Sequence, residues 1–521
     1  MAGKQPVSAS GLIILMLVLL SVIAIKEGYT SNEKWYRVLI VTLPLLLLAI
    51  INIRQKKHAL LRNFPLIGYL RYFFESIRPE IRQYFFESDL DGKPFNRRQR
   101  SIVYQRAKNE RQTVAFGMQT DPNNSGFEWV AHSVYPVNLG DEDLRVWIGN
   151  HLCKQPYHSS IYNIGAMSFG ALSKTAITAL NEGARLGRFA QNTGEGGISE
   201  YHLKGGDLIW QIGTGYFGCR NEAGRFDALS FRKNALRPQV KMIELKLSQG
   251  AKPGHGGILP ALKNTLEIAA IRQVKPGITI HSPANHAAFD TPEGLVQFLQ
   301  LLRELSDGKP VGFKICIGDR QEFIDICHAI KSSGCIPDFI SVDGGEGGTG
   351  AAPLEFTDHL GMPLYEALSF VKQTLEEFQL VKHIKVLAAG KIITGFDILK
   401  ALSLGASACY TARGMMFALG CIQALVCDSG KCPVGVATQN PVLYKGLDPT
   451  DKGVRVFNFH LNTIKATKEM MEACGFSDIQ KIHASKFFRR TDQQTIRSFE
   501  EIYSMKVKGY KKQKDSQSQL N

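Results

Sequence analysis

Two long apolar runs open the chain, and the rhythm then changes. Residues 5–25 (QPVSASGLIILMLVLLSVIAI) carry no charge, and residues 38–53 (VLIVTLPLLLLAIINI) follow after a short charged loop. Each approaches the roughly 20 apolar residues that a helix needs to cross a bilayer. Trp35 and Tyr36 stand before the second run, where interfacial anchors belong. The segment after it, RQKKHALLR, is strongly basic, whereas the connecting loop mixes Lys26, Glu27, Glu33, Lys34 and Arg37. That asymmetry predicts a two-helix anchor in the cell membrane, with the large remainder of the chain in the cytoplasm. The alternative for the first run is a cleaved signal peptide. Against it, no clear small-x-small cleavage site is evident and a second span follows at once.

From 60 to 104 the chain is rich in aromatics and arginine (LIGYLRYFFESIRPEIRQYFF). This reads as an amphipathic lead-in, packed on the main domain or lying on the membrane. The body beyond it is more regular. Short apolar or β-branched runs recur, each followed by a glycine-rich or polar turn. They are IYNIGAM (161–167), RFAQNT (188–193), VKMIELK (240–246), ITIHSP (278–283), VGFKICI (311–317), FISVDGG (339–345), VLAAGK (386–391) and ACYTARG (408–414). Helix-length segments with apolar residues at three- and four-residue spacing separate most of them. TPEGLVQFLQLLREL and QEFIDICHAIKSSG are the cleanest, with Gly334 ending the second. Strand alternating with helix predicts an α/β fold with a parallel sheet, and eight such strands suit a (β/α)8 TIM barrel. An open doubly wound sheet is the alternative, but no G-x-G-x-x-G follows the first strand. The stretch 194–240 is too long for one crossover and is expected to hold an excursion. The expected domains are an anchor at 1–58, the lead-in at 59–150, the barrel at 151–490, and an extension with a partly disordered tail at 491–521.

Composition sharpens this picture. Of 521 residues, 44% are hydrophobic and 21% charged, as in a folded protein. The net charge of +15 suits anionic lipid or an anionic substrate, since no nucleic-acid module is recognisable. The 49 glycines cluster in GEGG (194–197), GAKPGHGG (250–257) and DGGEGGTG (343–350), which points to backbone brought close to a ligand, or to tight turns.

In a barrel the chemistry sits on loops at the carboxyl ends of the strands. Met167 and Ser168 end the first strand, Glu195 follows the second, and Lys246 and Lys252 follow the third in this count. Lys314 lies within the fifth. Asp343, Gly344 and Gly345 follow the sixth, Gly390 and Lys391 the seventh, and Arg413 and Gly414 the eighth. Loops seven and eight are the usual phosphate cradle of such barrels, so a cofactor with a phosphate tail is expected, FMN being the commonest fit. Three of the ten cysteines, Cys421, Cys427 and Cys432, stand at C-x5-C-x4-C. Soft thiolates at this density suit a metal centre; zinc usually wants four ligands at shorter spacings, and plain burial is the remaining account. The other seven cysteines are scattered, as in core packing.

These motifs carry a family resemblance. IGAMSFGALS, NTGEGG, KLSQGAKPGHGG, ISVDGGEGGTGAAPL, LAAGKIITGFDILKALSLGA and CIQALVCDSGKCPVGVATQ, in order between Ile161 and Pro441, closely resemble the FMN-binding synthase domain of glutamate synthase. The resemblance implies FMN, and a [3Fe–4S] cluster held by Cys421, Cys427 and Cys432. It implies reductive amination of a 2-oxo acid, 2-oxoglutarate giving L-glutamate, with ammonia or an amine as nitrogen source. Lys246 and Lys252 match the family's substrate-binding lysines and Arg272 its carboxylate-binding arginine. Glu195 matches an acidic residue able to handle ammonia or its proton. Lys314, inside an apolar strand, is expected at the flavin.

The departures set further expectations. Met1, Ala2 and an apolar span stand where the family has its cysteine nucleophile, so glutamine is not expected to be hydrolysed by this chain, and a separate glutaminase becomes a possible partner. A nicotinamide site is not evident, so the expected electron donor is a ferredoxin, a flavoprotein or a quinone-linked carrier. Ile258 stands where the family has a substrate-binding glutamine, and His255 where its third glycine loop has an acid. Both bear on which 2-oxo acid is bound. The alternative function is a membrane-bound flavin and iron–sulfur electron-transfer subunit that makes no amino acid. A third reading, a barrel flavoenzyme acting on a 2-hydroxy acid or amine, would use His281 or His286 as base.

Overall fold

The computed structural model describes residues 9–110, 112–141 and 143–504, with the side chains of residues 9 and 10 left aside. The polar tail after Val507 lies outside the described residues. The chain divides into two compact units between Arg98 and Gln99.

In the first unit, helices Ala9–Thr30 and Tyr36–Arg54 are joined by a short turn that Asn32 caps, its side chain accepting the Lys34 N–H at 2.9 Å. Both helices are long and apolar enough to cross a membrane. Between them the Ser21 hydroxyl donates to Thr42 Oγ1 at 2.8 Å, a polar contact of the kind that holds helices together in lipid. A further helix, Gly68–Ile81, carries Phe73 and Phe74 exposed beside Arg71 and Arg78.

The second unit is built on eight parallel strands closed into a barrel. In chain order they are β1 (Tyr162–Ile164), β2 (Ala190–Asn192), β3 (Asp207–Ile212), β4 (Val240–Lys246), β5 (Val311–Ile315), β6 (Phe339–Asp343), β7 (Lys385–Ala389) and β8 (Ala408–Thr411). β8 closes on β1, with Cys409 opposite Tyr162. The barrel predicted from strand–helix alternation is therefore present, with one strand exchanged. The run 278–283 is not a barrel strand: only Ile280–His281 is extended, and it pairs antiparallel with Ile258–Leu259 in a two-stranded hairpin. The missing strand is β3, which lies inside the stretch expected to be an excursion and is followed by helix Ala228–Ala235 as an ordinary β/α unit. The long insertion falls instead between β4 and β5.

The predicted helices appear as Pro292–Leu305, capped by Thr291, and Arg320–Ser333, ended by Gly334 at φ +70°. The amino end of the barrel is plugged by an antiparallel hairpin, Arg145–Ile148 with Tyr157–Ser160. Its Ile148 and Tyr157 pack with Ala190, Met242, Phe339 and Leu387 in one core cluster. At the same end Asp338 accepts the N–H groups of Asn150 and Val311 (both 2.8 Å) and pairs with Arg303 at 2.9 Å. The Asp338 carboxylate is thereby paired on both oxygens, which stabilises the face opposite the loops. A small sheet joins Glu128–Val130 to Phe487–Arg490 and Ile496–Ser498, and Glu128 ion-pairs with both Lys400 and Arg489 at 2.6 Å.

Candidate active site

The loops at the carboxyl ends of the strands bring the predicted catalytic residues together. Glu195, in the loop after β2, sits 3.1 Å from the Lys246 ammonium at the end of β4. Both line one cleft with Ser248, His255 and Gly257. Burial opposes ionisation of Glu195, but the positive charges of Lys246, Arg272 and Lys252 outweigh it and hold the carboxyl below its usual range. Burial lowers the affinity of Lys246 for its proton against the pull of Glu195, and burial followed by repulsion from Lys246 does the same to Lys252. The Lys252 ammonium donates to the carbonyl of Gly256 at 3.2 Å. A Cβ at Gly213 would stand 2.5 Å from Glu195 Oε2, so bare backbone is required for the carboxylate to lie where it does.

Arg272 takes a different place from a carboxylate clamp at the mouth. Its side chain is buried at 5% exposure behind Glu195, and Nη2 donates to the Phe169 carbonyl at 3.2 Å and to Ser168 Oγ at 3.4 Å. Its guanidinium lies 5.0 Å from the centre of the Phe217 ring. It ties the first loop down and adds positive charge to the Glu195 surroundings. Burial lowers its pKa to about 10.

A second cluster lies beside the first. The Lys314 ammonium, within β5, stands 3.4 Å from Asp343 at the end of β6, and Asp343 also accepts the Gly250 N–H at 3.1 Å. Burial works against the Lys314 charge, but Asp343 and Glu244 raise its pKa. Gly344 donates its N–H to Ala389 and Gly345 to Met362, both at 2.8 Å. A side chain at Gly250 would collide with the carbonyl of Gly344, so these two glycine loops meet backbone to backbone. Arg413 Nη2 donates to the Glu346 carbonyl at 2.9 Å, and the Glu346 carboxylate accepts the Leu364 N–H at 3.0 Å at the start of helix Leu364–Glu377. Gly390 and Lys391 follow β7 with positive φ, Gly414 lies in the first turn of helix Arg413–Leu419, and Met167 is buried under the first loop. Bare backbone flanked by Lys314 and Arg413 suits a planar cofactor with an anionic tail.

One functional residue, Glu244, carried no expectation from the sequence, whereas His286 was expected only as a base in the alternative flavoenzyme reading. Glu244 is fully buried in the barrel and accepts from Asn192 (2.7 Å), Gln211 (2.6 Å) and Ser341 (2.5 Å). It lies two residues before Lys246 on the same strand face, and that i, i+2 pair of charges inside an apolar strand was the available signal. His286 is held by Tyr216 OH at 3.1 Å and the Lys246 carbonyl at 2.9 Å, and burial lowers its pKa to about 4. His286 is thus a neutral brace behind Lys246. His281 lies in the hairpin opposite Ile258.

Cys421, Cys427 and Cys432 occupy the irregular loop after helix Arg413–Leu419, all with free thiols. Among the described residues no three Cys, His, Asp or Glu side chains converge closely enough to hold a metal ion. The three thiols on one loop instead suit a multi-iron cluster, in which each thiolate binds its own iron and no single ion is reached by all three. The Gln423 N–H points at Cys421 Sγ at 3.4 Å, a contact that suits a thiolate acceptor, and Gln423 and Leu425 bend the loop with φ of +59° and +57°. A Cβ at Gly350 would stand 3.7 Å from that of Cys427, so this loop borders the glycine loop of β6. Of the other cysteines, Cys219, Cys316, Cys327 and Cys409 are buried.

Residues 134–477 match the family described as the conserved region in glutamate synthase. A glutamate synthase large subunit-like protein, YerD of Bacillus subtilis, is 37% identical over 506 aligned residues, covering 88% of this chain and 95% of that protein. The archaeal glutamate synthase (NADPH) of Methanocaldococcus jannaschii is 35% identical over 325 residues, 62% of this chain and 60% of the relative. A glutamate synthase large subunit-like protein of Rhizobium meliloti is 30% identical, covering 67% of this chain and 80% of that protein.

Proposed function

This chain belongs to the glutamate synthase family, and on that premise we propose that it is an FMN- and iron–sulfur-dependent oxidoreductase that reductively aminates a 2-oxo acid, 2-oxoglutarate first among them. The observation that carries this reading is the Glu195 carboxylate 3.1 Å from Lys246 in the cleft, with the charges of Lys252 and, from the buried side, Arg272 acting on it. A dianionic 2-oxo acid needs fixed cations, and ammonia needs a base that stays ionised while surrounded by them.

Lys246 and Lys252 bind the carboxylates and the keto oxygen. Arg272 acts as a positioning residue, since its Nη2 is committed to the first loop. Glu195 takes a proton from the attacking nitrogen as the carbon–nitrogen bond forms and water leaves. Glu195 returns that proton to the oxygen that departs as water, the resulting imine carbon is then reduced by gaining a hydride, and a proton on nitrogen completes the amine. FMN would be held by Lys314, Asp343, Gly344, Gly345, Gly390, Lys391, Arg413 and Gly414, with Met167 and Ser168 alongside, and the [3Fe–4S] cluster by Cys421, Cys427 and Cys432. When bound, the flavin supplies the hydride and the cluster supplies electrons one at a time. The two apolar helices serve as a membrane anchor with the barrel in the cytoplasm. The electron donor is a ferredoxin, a flavoprotein or a quinone-linked carrier.

Labelled product tests this. Protein reduced chemically under anaerobic conditions is given 15N-ammonium and 2-oxoglutarate, and amino acids are read by mass spectrometry. The reading predicts 15N-glutamate in amounts that exceed the enzyme. Flavin and iron that cycle while no 2-oxo acid yields a labelled amino acid would favour the electron-relay reading instead.

A further inference from the structure

Two buried cations flank the cysteine loop, and neither is in an ion pair among the described residues. Arg100, on helix Arg97–Ala107, is 3% exposed, and among the described residues its Nε and Nη2 have no hydrogen-bond partner. One turn further along the same helix, the Tyr104 hydroxyl donates to the Cys421 carbonyl at 2.6 Å, and its ring meets Phe417 edge-on at 6.1 Å. Residues four apart share a helix face, so Arg100 lies on the face that Tyr104 turns to the same loop. Lys263 approaches from the other side. It is 4% exposed and donates to three carbonyls, Cys427 at 2.6 Å, Ala437 at 3.2 Å and Ala171 at 3.3 Å. Asp428 is the carboxylate whose charge reaches it, from beyond ion-pair distance.

A buried cation without a counter-charge is costly, and proteins keep one where an anion is to be met. Two of them beside three thiols describe a site built to carry net negative charge. We propose that Arg100 and Lys263 are the built-in counter-charges of the iron–sulfur centre and hold its reduction potential up. This rests on the proposed reading of the three cysteines as cluster ligands. Three thiolates make such a centre anionic, and each added electron makes it more so. Fixed positive charge in a buried site therefore favours the reduced form. Arg100 is supplied from outside the barrel, by the helix that precedes it, so this lead-in completes the electronic environment of the loop. Both are positioning residues, since neither ligates iron.

The test uses the full chain in detergent, with iron and sulfide measured per protein and the cluster titrated by EPR under controlled potential. Arg100→Met and Lys263→Met remove charge and keep bulk; Arg100→Lys and Lys263→Arg keep charge. At the potential where the wild-type cluster is half reduced, each Met variant is expected to show at least a tenfold lower reduced-to-oxidised ratio, a downward shift of ~59 mV for one electron. The charge-keeping variants stay within about threefold of wild type. A Met variant that loses iron while its charge-keeping counterpart retains it supports the same conclusion. Met variants that keep iron and titrate like wild type overturn it. So do charge-keeping variants that lose iron as completely as the Met ones, because packing would then be the role. Wild-type protein without iron and sulfide would overturn the cluster reading itself, a result distinct from either.

Discussion

Removing the Lys246 ammonium from Glu195 is the perturbation whose consequences can be worked furthest. The pair is separated by 3.1 Å, with side-chain exposures of 9% and 19%. At an effective dielectric near 20, charges that close attract by ~5 kcal/mol. Desolvation of both offsets much of this, yet losing one partner of a buried pair still costs about 3–5 kcal/mol, because the other is left uncompensated. Lys246→Met leaves Glu195 with Arg272 and Lys252, so the lower end, ~3 kcal/mol, is expected. Glu195→Gln leaves three cations facing one another, and ~4 kcal/mol is expected. The double variant carries neither orphan and is expected to cost ~3–4 kcal/mol, a coupling of ~3–4 kcal/mol against the sum of the singles. Urea unfolding followed by the fluorescence of the fully buried Trp210 reads these values. Glu195 adds a pH signature. Its folded pKa lies below the usual value, so its contribution is present above about pH 4.5 and is lost as pH falls through the lower folded value. Glu195→Gln removes that acid limb. Single-variant costs that simply add within ~0.5 kcal/mol would refute the pair as a coupled unit.

Three further outcomes are expected. His286, neutral in the fold with a pKa near 4, makes the protein lose up to ~3 kcal/mol as pH falls from about 6.5 toward 4, because the unfolded chain binds the proton there; His286→Gln flattens this slope in thermal melts across that window. Lys252→Ala leaves the flavin bound, by its absorption, and slows substrate-driven flavin reoxidation at least ~10-fold, the loss of one charge-assisted contact; unchanged kinetics would remove Lys252 from the site. Cys432→Ser removes iron in elemental analysis and keeps flavin, whereas iron retained at the wild-type ratio would exclude Cys432 as a ligand.

The sequence was most informative where local chemistry and periodicity agreed. Seven of the eight barrel strands were visible as β-branched runs before glycine turns, since buried parallel strands must be apolar and the chain must turn at their carboxyl ends. β3 was missed because DLIWQI begins with a charge and keeps Gln211 as the inward donor to Glu244, which breaks the apolar signature. ITIHSP showed the opposite error. Its β-branched residues fit a strand, but tertiary pairing with Ile258–Leu259 made it a hairpin edge. Glu195, Lys246 and Lys252 were legible because charge in glycine loops at strand ends has few structural uses. The buried commitment of Arg272 to the first loop was not, because it depends on which backbone carbonyl a helix brings near. The spacing of Cys421, Cys427 and Cys432 was plain, whereas the flanking cations are separated from them by well over a hundred residues and come together only in the fold.

The most direct test of the central claim is an anaerobic absorption titration of the purified, reduced protein, adding 2-oxoglutarate and ammonia singly and together. The account predicts that the oxidised flavin bands return only when both are present. Flavin that stays reduced with every 2-oxo acid and ammonia together would contradict it.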